Sequence, residues 1–245
     1  MPNNTDTPAK LPTCADCSAL KESIFKSLSP TRLHAISSEV EARRFEKGET
    51  IFKEGEEPTG VFCVQSGMFK LTRNSVSNPH REQLVRLVRA GDVVGYSAFL
   101  QKKTHRFSAV AIEAGSACLI PGAVFNTQVE RSSELMNCFM SRISKEMEGI
   151  EENLAVVGSG SVRERVAYTL WNLGSSFGQS REESTLIDVK LSRSELASLA
   201  GTVTETFVRA LTDFKEEGLV TIKGRNIFIP SLENLRGCFL KSNVA

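Results

Sequence analysis

Residues 191–217, LSRSELASLAGTVTETFVRALTDFKEE, constrain the fold more than any other stretch of this chain. Ser192 and Glu195 form an S-x-x-E pair, and Thr202 and Glu205 form a T-x-x-E pair. Each such box ties up orphan amides at a helix start, so the spacing predicts two helices in close succession. Gly201 falls where the first helix stops and the chain turns. Leu196, Leu199, Ala200, Val203, Phe207, Leu211 and Phe214 recur at helical spacing, which gives both helices one shared apolar floor. Two short helices on a common floor make a helix-turn-helix, a motif that presents its second helix to a DNA major groove.

The second helix has a polar outer face. Thr204, Glu205, Val208, Arg209 and Thr212 fall at i, i+1, i+4, i+5 and i+8, away from the floor, and Thr202 sits at its start. Arg209 has the two donors that match guanine O6 and N7, Glu205 can accept from cytosine N4, and Val208 suits a thymine methyl. Taken alone, such a face is equally that of an ordinary surface helix. The segment that follows tips the balance. Gly218 ends the helix, and LVTIKGRNIFIP (219–230) reads strand, turn, strand. This is a wing, with Lys223 and Arg225 near its tip as candidate phosphate contacts. Residues 160–232 thus read as a winged helix-turn-helix.

Composition agrees without demanding this. The chain has 245 residues, enough for two domains, and 40% of them are apolar. A net charge of +1 argues against a protein that coats nucleic acid and suits one that finds particular sites. The N-terminus is polar and Pro-rich, with no signal peptide, and no apolar run approaches the ~20 residues that span a bilayer. A cytoplasmic location is expected, so the six cysteines are not read as disulfides. His34, His80 and His105 show no metal-ligand spacing, and no phosphate loop or nucleophile–base pair points to an enzyme.

Upstream, residues 1–13 read as disordered, and 20–42 as one or two helices with Ser29 as cap and Pro30 at the first turn. From 43 to 121, short β-prone runs alternate with glycine turns every eight to twelve residues, which suggests a small β barrel or roll. NSVSNPH (74–80) reads as a hairpin loop. Residues 122–157 return to helical periodicity. Leu135, Phe139, Ile143, Met147, Ile150, Leu154 and Val157 form a nearly heptad stripe that wants a partner. Its first half suits the chain's own β domain. Its second half, among Glu146, Glu148, Glu151 and Glu152, suits a dimer seam. GSGS (158–161) marks a hinge, 162–178 a helix, and 184–192 a short strand.

This order resembles the Crp/Fnr family of bacterial transcription regulators over about residues 14–236. The resemblance rests on KGETIFKEGE (47–56), Ser66-Gly67, AGDVVGYSA (90–98) and the E-T-x-x-R of Glu205, Thr206 and Arg209. It implies an α+β protein: an N-terminal segment with a cysteine pair (1–19), a cyclic-nucleotide-binding-like β-roll (20–130), a dimerisation helix (131–158) and a C-terminal winged helix-turn-helix (159–245). It further implies a homodimer with Phe139, Ile143, Met147, Ile150 and Leu154 at the interface, a near-palindromic operator with TGA-like half-sites, and RNA polymerase as a partner. Glu152 falls where this branch is expected to hold an acidic residue near the seam; by spacing alone it equally points to water.

The sensor divides the family. Cyclic-nucleotide binders carry a Gly-Glu pair and a downstream Arg-Ser or Arg-Thr pair. Here Tyr96 stands at the glutamate position and Phe107 follows Arg106, which argues against that ligand. The Fnr branch implies a [4Fe–4S] cluster. Cys14 and Cys17 match its first two N-terminal cysteines and Cys118 its roll cysteine, but Ser23 stands where a third N-terminal cysteine is expected. Cubane clusters usually take four thiolates, so a carboxylate such as Asp16 or Glu22 is a candidate fourth ligand. A redox dithiol, a zinc half-site and a remnant remain alternatives. Cys63 and Cys138 read as small hydrophobes on apolar faces, and Cys238 as an inert cysteine in a short tail. Two other readings stand beside this one: the same fold with an empty or small-effector sensor, and a cyclic-nucleotide module serving a partner enzyme.

Overall fold

The computed structural model describes residues 13–74, 82–181 and 183–240. Most of the N-terminal tail and nearly all of the hairpin loop at 74–80, including His80, lie outside them. The described residues fall into two compact units, one within Met1–Arg73 and Leu87–Ser144, the other within Asn74–Arg86 and Lys145–Ala245.

The first unit opens with two short 3-10 turns, Ser18–Glu22 and Ile24–Ser27, and helix α1 (Pro30–Ser37). Ser29 caps α1, its hydroxyl accepting from the Arg32 amide, with Pro30 at the first position. Strands β1 (Glu41–Phe45), β2 (Thr50–Phe52), β3 (Gly60–Ser66), β4 (Met68–Asn74), β5 (Glu82–Arg89) and β6 (Val93–Val94) follow, with the last residue of β4 and the first five of β5 counted in the second unit. Helix α2 (Tyr96–Gln101) then occupies the GYSAF stretch, where the β-prone run had suggested continued sheet. Strands β7 (Ser108–Ala111) and β8 (Gly115–Pro121) and helix α3 (Gly122–Glu130) complete the roll. One sheet runs β1-β8-β3-β6 and the other β2-β7-β4-β5.

Two cores share the central strands. Phe62 and Val64 of β3 and Ala117 and Leu119 of β8 join Phe45, Phe52, Phe69 and Val88 in a core drawn from both sheets. The alternate residues of the same strands, Val61 and Ile120, belong to a second core with Ile24, Phe25, Leu33, Ile36, Phe125, Leu135 and Phe139. Successive side chains of a strand point to opposite faces, so strands buried on both faces read as the continuous apolar runs GVFCV and ACLI.

The helical stretch after the roll is broken rather than continuous. α3 ends at Glu130, and α4 starts afresh at Ser133 and runs to Ser159. The Ser132 hydroxyl accepts from the Leu135 amide at 3.1 Å, which is how a short polar side chain restarts a helix. Four helices and two hairpins build the second unit beyond α4. They are α5 (Val162–Phe177), β9 (Gly178–Arg181), β10 (Ser184–Ile187), α6 (Arg193–Leu199), α7 (Thr204–Glu216), β11 (Thr221–Lys223), β12 (Asn226–Ile229) and α8 (Leu232–Leu240). The sheet order is β11-β12-β10-β9. β10 is shorter than the run 184–192 suggested, and β9 pairs with it as a hairpin that the helix-like end of α5 concealed. Cys238 lies in α8, not in a loose tail, and its thiol donates to the Asn234 carbonyl at 3.6 Å.

Candidate functional site

Ser192 caps α6 in a complete capping box: its hydroxyl accepts from the Glu195 amide at 3.2 Å, and the Glu195 carboxylate accepts from the Ser192 amide at 2.8 Å. The second box is absent. α7 is capped by Val203, which offers no side-chain bond, so Glu205 sits one position too early to reach back. The cause is a turn one residue longer than expected. Gly201 takes φ +59°, and Thr202 then donates its amide to the Ala197 carbonyl at 2.9 Å, so its own backbone is spent on closing the turn. Val203 is consequently 49% exposed and leaves the apolar floor, which Leu196, Ala200, Phe207, Leu211 and Phe214 form without it.

α7 packs on α5 and α6. Its outer face carries Glu205, Val208, Arg209 and Thr212 exposed, with Thr202 and Thr204 partly exposed. The Thr212 hydroxyl donates to the Val208 carbonyl at 3.0 Å. Among the described residues, neither Arg209 nor Glu205 has a side-chain hydrogen bond or ion pair, so both are free to meet a ligand. Strands β11 and β12 close on a two-residue loop, Gly224-Arg225, with Lys223 opposite Asn226. Lys223 and Arg225 are exposed there, the Lys223 ammonium 5.5 Å from the Phe228 ring centre.

The α4 stripe divides in two. Phe139 is 4% exposed and meets Phe125 and Tyr96 edge to face, at 5.6 and 5.3 Å between ring centres. Ile143 also packs against that core. These two interface candidates are therefore taken up by their own domain, because the roll has an apolar face to cover. Met147, Ile150 and Leu154 are 55%, 62% and 68% exposed, an apolar stripe uncovered in the single chain. Glu152 is exposed as well, and the Tyr168 hydroxyl donates to it across a long 3.5 Å. Burial, and then the nearby Glu152 charge, push the Tyr168 phenol up to about 12.

Cys14, Cys17 and Cys118 come together at one cavity of about 40 Å³ in the first unit. About 10–15 Å³ on this measure admits a water, so the space exceeds that of a single water. Cys63 also lines it, with Ser23 and Gln65; the other lining residues are apolar. Cys63 and Cys118 are directly opposed on β3 and β8. Both point away from the inter-sheet core, toward the 3-10 turns and α1. The Cys14 amide donates to the Ser37 hydroxyl at 3.0 Å, which ties the N-terminal segment to α1. Gly91 lets the roll approach that segment closely: at φ +92°, a Cβ there would lie 2.7 Å from Glu22 Cβ. Burial pushes the Cys63 and Cys118 thiols up to about 12 and raises that of Cys14. Thiols so desolvated are poor free nucleophiles.

Asp16 and Glu22, the carboxylate candidates, are exposed and do not line the cavity; Asp16 instead accepts from the Thr13 hydroxyl at 2.7 Å. Cys63 is the residue that the sequence reading set aside. Its signal was present, since 63 and 118 occupy matching places in two doubly apolar strands, but only the pairing register brings them face to face. Among the described residues, no group of three His, Cys, Asp or Glu is arranged to hold a single metal ion. The nucleotide-type elements are differently used: Tyr96 is packed against Phe139, and Arg106 is exposed.

A β-roll, a long helix and a winged helix-turn-helix in this order define a DNA-binding transcription regulator. Comparison with known proteins gives the family. The model of the cyclic nucleotide-binding domain matches residues 42–132, and that of the Crp-like helix-turn-helix domain matches 164–238. The fumarate and nitrate reduction regulatory protein of Vibrio cholerae is 26% identical over 217 residues, 88% of this chain and 86% of that protein. Electron transport regulator A of Shewanella oneidensis is 27% identical over the same shares. The solved structure of FixK2 from Bradyrhizobium japonicum superposes with a TM-score of 0.70 at 21% identity, over 81% of this chain and 96% of that one. The chain belongs to the Crp/Fnr family of transcription regulators. Regulators of this type bind DNA through their helix-turn-helix domain. Among the described residues, no helix is long and apolar enough to cross a membrane.

Proposed function

We propose that this protein is a homodimeric, sequence-specific transcription regulator that responds to redox state, oxygen or nitric oxide through its cysteine cavity. The convergence of Cys14, Cys17 and Cys118 on one cavity is the observation that carries the sensing part. The reading assigns 1–19 to the cysteine-bearing segment, 20–130 to the sensor roll, 131–158 to the dimer helix and 159–245 to the DNA reader. Arg209, Glu205, Val208, Thr202, Thr204 and Thr212 read a near-palindromic operator with TGA-like half-sites, and Lys223 and Arg225 hold phosphates. Met147, Ile150 and Leu154 form the dimer seam, their exposure in the single chain supporting this use. Family analogy adds RNA polymerase as a partner and the cytoplasm as the place of action. No catalytic role is proposed.

The cavity's chemistry fits a [4Fe–4S] group. Its donors are thiols, the groups that iron–sulfur clusters take, and its remaining wall is largely apolar. Cys14, Cys17 and Cys118 would hold it with one further ligand. When bound, such a group would supply a redox-labile centre; the chain would supply thiols, a largely apolar wall and attachment to both the N-terminal segment and the roll. The test is a gel shift on a palindromic TGA-type site with dimer purified without oxygen and then exposed to air. Selective binding that changes with air is expected. Absence of sequence-selective binding in both states would sink the proposal, and selective binding indifferent to air would remove its sensing half.

A further inference from the structure

Resting on the cluster reading above, we propose that Cys63 supplies the fourth thiolate, so that the ligand set of this chain is Cys14, Cys17, Cys63 and Cys118. Cys63 and Cys118 are cross-strand partners on β3 and β8, and side chains so opposed stand as near neighbours on one face of the sheet. That face is the one turned to the N-terminal segment, since Val61 and Ile120, which share it, pack against Ile24, Phe25 and Ile36. All four cysteines line the same cavity.

Position 23 explains how the set is completed. Ser23 stands where the family resemblance implies a third N-terminal cysteine. It is 2% exposed, and its hydroxyl accepts from the Phe25 amide at 3.3 Å. Its Oγ lies 3.6 Å from the Cys63 sulfur. The side chain at position 23, which lacks sulfur, therefore touches one that has it, so a thiol stands one contact away on the sheet. The nearby carboxylates, Asp16 and Glu22, are exposed and outside the cavity. Loading is a ligand exchange that balances without electron transfer. Each of the four cysteines would form an S–Fe bond in place of a small-molecule thiolate's Fe–S bond and would pass its S–H proton to that departing thiolate.

Full-length protein is reconstituted without oxygen, using iron, sulfide and a small thiol. Iron and acid-labile sulfide per chain and the visible and Mössbauer spectra are then read for wild type, Cys63→Ala, Cys63→Ser and Ser23→Cys/Cys63→Ala. Wild type is expected to load about four iron and four sulfide per chain, and Cys63→Ala to fall to near zero. Cys63→Ser, which keeps the side chain's size, is expected to lose the cluster or shift its spectrum while far-UV circular dichroism stays unchanged. Ser23→Cys in the Cys63→Ala background is expected to regain the cluster. Wild-type loading and spectra in both single variants would overturn the assignment of Cys63 and leave the cluster reading standing. A Cys63–Cys118 disulfide in protein isolated without oxygen would likewise overturn it. A folded wild type that loads nothing overturns the cluster reading, and this inference with it.

Discussion

The face of α7 that carries Glu205, Val208, Arg209 and Thr212 is built from one helix and lies open to solvent. The cysteine cavity draws on residues 14, 17, 63 and 118, gathered from an N-terminal segment and two strands, and it is walled by apolar side chains. The first site depends on helical periodicity alone, and its residues can be exchanged singly with little cost to the fold. The second depends on strand register and on a shared core, so its chemistry and the stability of the roll are bound together.

That contrast can be broken most directly at Phe139, whose ring supports the core beside the cavity. Phe139→Ala is expected to cost about 3–5 kcal/mol in urea denaturation of the chain, whereas Val208→Ala on the open face should stay within about 0.5 kcal/mol. Equal losses at the two positions would erase the distinction. Leu154→Ala extends the comparison along α4: little change in the stability of the single chain, but a weaker dimer in sedimentation measured across a dilution series. A smaller effect belongs to the reading face itself. Arg209→Ala should lose about 1–3 kcal/mol of operator binding and relax selectivity at one base position, measured by gel shift on a panel of singly substituted sites. Unchanged affinity and selectivity would show that another side chain reads that base.

The two ends of the helix pair separate by a still finer margin. Ser192→Ala removes a formed cap and should cost about 1 kcal/mol, while Thr202→Ala, whose hydroxyl caps nothing, should cost only a few tenths of that by thermal melting. At the wing, Lys223→Ala is expected to weaken binding evenly across sequences and to lower the salt-dependence slope by about 1. A change confined to the cognate sequence would mean that Lys223 touches a base.

Much of the fold was legible because its signals are local. The Ser29 and Ser192 caps, the glycine turn at 201 and the strand–turn–strand of the wing each lie within a few residues of one another. The errors share a different cause. The T-x-x-E pair at Thr202 failed because Gly201 and Thr202 together lengthen the turn, shifting the helix start by one residue. Phe139 was open to two uses, the chain's own β domain by its place in the stripe and the dimer interface by the family resemblance, because a heptad stripe does not say which of its residues the chain itself will cover. Cys63 was set aside because alternation along β3 shows that it faces opposite to Phe62 and Val64, yet not that Cys118 stands across from it. Periodicity reports a side chain's direction; the neighbour it meets there is decided by pairing between strands far apart in the chain.

The distribution of the cavity's cysteines, two on the N-terminal segment and two on the sheet, has a mechanical consequence. A group bonded to both pairs closes rings through the backbone, such as the one from Cys17 to Cys63. Closing a ring of that length removes conformational freedom from the unfolded chain, a contribution on the order of 4 kcal/mol by the relation used for disulfides. The N-terminal segment would then be stapled to the roll while the group is present and held only by its own packing once it is gone. Proteases find loosened segments first, so loss of such a group would also shorten the life of each molecule.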